Sequence, residues 1–123
     1  MVATTYARER IAIGLGSNIS NNFISYLAVG SGTAAEAVAN TVLSNEFLRV
    51  AITGSPDFTT SRKVTFRGDL SSVQASGLVL NEFGFLASGP ALTGSLFSRE
   101  KLVNPVTFDG TLEGVFTYTL EIM

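Results

Sequence analysis

The chain has 123 residues with neither cysteine nor histidine, and its ten acidic and eight basic residues leave a net charge of −2. Those absences exclude a disulfide framework, thiolate or imidazole metal ligation and the usual neutral-pH proton shuttle. The scattered charges offer no basic stripe to nucleic acid, and a single domain of this size buries enough surface to need no covalent staple.

Residues 1–22 read as an N-terminal arm or edge segment, because the apolar residues of AIGLG have no obvious place among the strands of the remaining chain. The start holds no signal-peptide stretch and no later run is long enough to span a bilayer, so the chain reads as a soluble, cytoplasmically made protein without a membrane partner. Apolar residues make up 46% of the chain and charged ones 15%. Either the core is rich, or part of the exterior meets other subunits.

Residues 23–123 read as one domain. ISYLAV (Ile24 to Val29) is a strand candidate that runs into Gly30-x-Gly32-x-x-Ala35, a match to the glycine pattern that lets backbone approach a pyrophosphate. A dinucleotide fold also needs βαβ units and an acid about twenty residues on. Glu46 comes early, Asp57 comes late, and the downstream sequence is hairpin-like, so no cofactor is expected; the glycines are read as letting a strand turn at the sheet edge. In Thr33 to Leu43, Thr33 and Glu36 form a capping-box pattern, but β-branched residues and Asn40 limit it to at most one short helix near 33–43 or an irregular loop.

From Phe47 onward the period is two. FLRVAI (Phe47 to Ile52) is followed by Val64, Phe66, Gly68 and Leu70 alternating with Thr65, Arg67 and Asp69. Phe116, Tyr118, Leu120 and Ile122 alternate in the same way with Val115, Thr117, Thr119 and Glu121. GLVLNEFGFLA (Gly77 to Ala87) is continuously apolar, as a central strand would be. LFSREKLV (Leu96 to Val103) sets Phe97 and Val103 on one side with Arg99 and Lys101. Turns are predicted at GSPDF, SSVQASG, ASGPALTGS and NPVTFDG. The whole predicts an all-β, antiparallel β-sandwich of jelly-roll or immunoglobulin-like type.

Four charged residues stand out: Glu46 and Arg49 in NEFLR, Glu82 within LVLNEFGF, and Arg99 after Leu96-Phe97. Two carboxylates could serve as general acid and base, as in glycoside hydrolysis. An arginine fork that satisfies a carboxylate within an apolar strand is the better reading, and it predicts that Glu82 or Glu46 pairs with Arg99 or Arg49 inside the sandwich or at its end. Asp57, Asp69 and Asp109 stand apart, so no metal site is expected. The period-two aromatics read as core rather than as a sugar-stacking platform.

The succession AVGSGTA, TVLSNEFLR, VTFRGDL, SGLVLNEFGFL, GSLFSREKL and YTLEI resembles a small β-sandwich domain of the structural proteins of tailed bacteriophages, of tail-fibre-associated or head-decoration type. The resemblance covers about the last hundred residues. It implies a non-enzymatic virion component, located in the virion and assembling with copies of itself and with other virion proteins on the tail, fibre or capsid exterior. The alternative it leaves open is a receptor- or carbohydrate-binding module, with a host surface glycan held by loops such as GSPDFTTSRK or ASGPALTGS.

Overall fold

In VTFRGDL and VFTYTLE every second side chain is apolar, and the two segments bury those side chains on one common face. Strand β4 (Lys63–Leu70) pairs antiparallel with β7 (Gly114–Glu121) without a register break, from Lys63 opposite Glu121 to Leu70 opposite Gly114. The computed structural model describes residues 2–9, 24–54, 57, 62–87 and 96–121. Within them a second, larger antiparallel sheet has the order β1-β6-β5-β2-β3. Its strands are β1 (Val2–Ala3), β2 (Tyr26–Gly30), β3 (Glu46–Ala51), β5 (Val79–Leu86) and β6 (Leu96–Thr107). The arrangement is β-sandwich-like, and GLVLNEFGFLA does supply the central strand, β5.

The core lies between the sheets. Phe83 and Phe85 of β5 meet Phe116 and Tyr118 of β7, with ring centroids 4.9 Å apart for Phe83–Phe116 and 6.0 Å apart for the stacked Phe85–Tyr118 pair. Leu27 and Val29 of β2 and Phe66 and Leu70 of β4 complete the same cluster. The sheets approach closely at Gly68, where a Cβ would fall 2.7 Å from that of Leu27. Each such aromatic or aliphatic side chain contributes about 1.5–3 kcal/mol by leaving water. A second, smaller cluster of Ala28, Leu43, Leu86 and Leu96 occupies the opposite face of the large sheet. Both faces of β5 are therefore covered, which is why its sequence lacks alternation.

Of the two readings of 33–43, a short helix or an irregular loop, the loop is the one that forms: residues 31–45 run irregularly across the outer face of the large sheet, with a turn at Ala37–Asn40. Glu36, the residue expected to close the capping box, turns its carboxylate to the Lys101 amide at 2.9 Å. A capping box does form in SSVQASG, predicted as a turn: Ser71 and Gln74 exchange side-chain-to-backbone hydrogen bonds at 3.1 Å around the helix Ser72–Ala75. Buried Ala75 anchors that helix to the core.

Residues 2–9 belong to the body of this chain. Val2 and Ala3 pair with Arg99 and Ser98, and residues 5–9 are helical behind Thr4, whose hydroxyl donates to the Leu96 carbonyl and accepts from the Ala7 amide at 3.1 Å. Residues 10–23, including AIGLG and the remainder of the expected arm or edge segment 1–22, lie outside the described residues. So do 88–95, the predicted ASGPALTGS turn apart from Ala87. NPVTFDG is mostly strand: β6 continues to Thr107, and the turn falls at Asp109–Gly110, where Gly110 takes φ 95°. Pro105 is accommodated because β6 bulges between Lys101 and Val106, which face Glu82 and Leu80.

Candidate functional site

Two rows of cross-strand neighbours set all four singled-out charged residues on the outer face of the large sheet, where Glu82 and Arg99 lie under the 31–45 loop. Arg49, Ala28, Gly84 and Arg99 are successive register partners, and Glu46, Gly30, Glu82 and Lys101 form the next row. A shared row means a shared face. The ion pairs therefore lie behind the large sheet, away from the second sheet, and not in the sandwich interior. The expectation placed the pairing inside the sandwich or at its end, but in a strand Glu82 points away from Phe83 and Phe85, which fill the interior.

Glu82 is the centre. Its Oε1 accepts from Arg99 Nε at 2.9 Å and from the Ser44 amide at 2.8 Å, while Oε2 accepts from the Gly32 and Asn45 amides, both at 2.7 Å. Neither Glu82 nor Arg99 has meaningful exposure, at 0% and 1%. Burial is the largest single influence on the Glu82 carboxyl and pushes it up. The hydrogen bonds from Asn45, Arg99, Ser44 and Gly32 together outweigh it and hold the group below the usual carboxylate range. Arg99 also donates from Nη2 to the Ala34 carbonyl at 2.8 Å, so the pair grips the loop by both ends of its charge. Arg99 Nη1 and Ser98 Oγ are buried without a hydrogen-bond partner.

Gly30 and Gly32 owe their places to this carboxylate. Neither is among the described glycines with positive φ, and Gly30 ends an internal strand, so the predicted turn at a sheet edge is corrected. A Cβ on Gly32 would lie 2.1 Å from Glu82 Oε2, and one on Gly30 would lie 2.4 Å from the Asn45 carbonyl oxygen. The glycine pattern does let backbone amides close on an anion, and the anion is the chain's own side chain. The G-x-G spacing was the signal for Gly32. The Ser44 and Asn45 amides carry no signal in the sequence, since any residue type supplies them.

The second pair is bidentate: Arg49 Nε and Nη2 donate to the two Glu46 oxygens at 2.9 and 2.7 Å, and both side chains are buried. Glu46 and Glu82 thus each commit both carboxylate oxygens to donors within the chain. Glu82 fixes the 31–45 loop, and the Glu46–Arg49 pair spans the β3 bulge, where the register shifts between Val29 and Gly30. Among the described residues no three metal-ligating side chains cluster together. An open groove of about 450 Å³ runs beside the loop along Ala35, Glu36, Lys101, Leu102 and Val103. The outer face of the small sheet is a polar ladder, with Thr65 hydrogen-bonded to Thr119 at 2.9 Å and Lys63 beside Glu121.

Taken together, fold and site define a β-sandwich-like scaffold whose buried charges are internal fasteners. No family model, curated protein or solved structure matches the chain.

Proposed function

We propose that the chain is a non-enzymatic structural component of a tailed-phage virion, assembling on the tail, fibre or capsid exterior through contacts with copies of itself and with other virion proteins. The observation that carries the reading is the engagement of Glu46 and Glu82. The two carboxylates that a hydrolytic reading would make acid and base are each saturated by internal donors and stiffen the sheet. The phage-like motifs of the sequence supply the biological setting. Exposed apolar side chains at Val103 and Val115, 95% and 60% accessible, are of the kind that subunit contacts cover.

Light scattering and negative-stain electron microscopy of the purified chain test the proposal. Concentration-dependent association into discrete oligomers, rings or larger particles is expected. A chain that stays monomeric at every concentration and retains a host glycan on an array would overturn it in favour of a recognition module.

A further inference from the structure

We infer that the edge of β7 opposite β4, which no described strand covers, pairs antiparallel with β7 of a second copy, about a two-fold axis at Tyr118, joining two small sheets into one four-stranded sheet of order β4-β7-β7-β4. The inference deepens the proposed assembly function and rests on it, since it names the surface through which the chain meets itself.

The other sheet edges carry guards against such pairing. β4 is covered on its outer side: the Thr53 amide donates to the Arg67 carbonyl at 2.7 Å, and Asp57 and Thr65 exchange hydrogen bonds at 2.9 and 3.0 Å. β6 is covered by β1 at Ser98 and Arg99, its Lys101 amide is taken by Glu36, and it then bulges toward Pro105. β3 is short and broken by a register shift. These are the devices by which sheets avoid edge-to-edge contact. Among the described residues β7 has none of them: it pairs with β4 alone, over eight residues, with uniform register, no proline, no lysine and a single charge at its last position. A two-stranded ribbon is itself marginal, so added strands stabilise it.

Side chains and charge select the partner and the register. Antiparallel pairing must match inner with inner and outer with outer residues, which restricts a two-fold axis to a residue position, and of these Thr117 and Tyr118 pair the most of β7. An axis at Thr117 would set Glu113 against Glu121 twice, and like charges directly opposite destabilise. An axis at Tyr118 sets Phe116 against Leu120 on the inner face and Thr117 against Thr119 on the outer face, with Val115 against Glu121. Phe116 and Leu120 are each only half-buried, on the side of the sheet that faces the core. Backbone hydrogen bonds would supply the affinity and this apolar contact the specificity, as in other strand-addition complexes.

The chain lacks cysteine, so single-cysteine variants report the register cleanly. Thr117 and Thr119 are exposed, and Thr117→Cys and Thr119→Cys should fold as the parent does, with unchanged circular dichroism. Under a mild oxidant, an equimolar mixture of the two variants is expected to form a disulfide-linked dimer several-fold more than either variant alone, because position 117 faces 119 of the partner. Association by scattering without that cross-link, or cross-linking of either variant by itself as extensive as that of the mixture, overturns the inference and leaves the assembly reading standing. A chain monomeric by scattering at all concentrations overturns both.

Discussion

The Gly32 amide donates to Glu82 Oε2 at 2.7 Å from a position where any Cβ would fall 2.1 Å from that oxygen and 2.3 Å from the Ser44 Cβ. Contact and crowding come from one geometry, so the site accepts hydrogen alone. Gly32→Ala should destabilise the fold by about 2 kcal/mol or more, the scale of an overpacked interior. Gly54, with φ +69° and nothing near its missing Cβ, is the control. Gly54→Ala should cost only about 1 kcal/mol of left-handed backbone strain. Urea unfolding midpoints of the two variants check the difference.

Arg99→Met removes one of four donors to Glu82 and strands a buried carboxylate, which should cost about 3 kcal/mol or more. In many buried pairs, replacing both partners by apolar residues restores stability. Here it should not, because the Gly32, Ser44 and Asn45 amides would lose their acceptor. Glu82→Leu combined with Arg99→Met is expected to be no more stable than Arg99→Met alone. Recovery toward the parent by chemical denaturation would contradict the role given to the loop amides.

The Glu82 carboxyl lies below its ordinary value of 4.5 in the folded chain, so the unfolded chain binds that proton more readily. Its contribution is complete above about pH 4.5 and is lost as the pH falls through the lower folded value. Asp69, held down by Arg67, and Asp109, held down by Thr111, act with the same sign at the surface. Thermal midpoints should be nearly level from pH 7 to about pH 5 and then fall. Glu82→Gln should lower the plateau and flatten the acid limb. An equally steep acid limb in that variant would assign the effect elsewhere.

Ser71 accepts from the Gln74 amide and Gln74 returns the bond to the Ser71 amide, closing the start of a helix one turn long. So short a helix has little propensity to draw on. Ser71→Ala should cost about 1 kcal/mol, and Ser71→Asp should retain most of the stability. Thermal unfolding of the pair provides the comparison.

Strand β4 and strand β7 were legible because one face meets the core and the other meets water, so Val64, Phe66 and Leu70, and Phe116, Tyr118 and Leu120, announce themselves by period. The side on which Glu82 sits was not legible from composition. β5 is covered on both faces, and a continuous apolar run does not say which sheet each residue meets. The loop that covers its outer face is held by backbone amides 37 to 50 residues away in sequence, a relation no local pattern encodes. SSVQASG, read as a turn, became the short helix, while 33–43 took the loop of its two readings, for a related reason. Both carry a capping-box spacing, but Glu36 found a better donor in Lys101, 65 residues along. Pro105 argued for a turn, and the bulge in β6 let a strand pass through it.

The clasp over the outer face also sets an order of events. Gly32, Ser44 and Asn45 can close on Glu82 only after β2, β5 and β6 have aligned to present it beside Arg99, so the clasp belongs to the last stage of folding. Interactions formed that late retard escape from the native state without hastening its formation. In stopped-flow experiments Gly32→Ala should therefore raise the unfolding rate and leave the refolding limb almost unmoved, which makes the loop a brake on disassembly rather than a guide to folding.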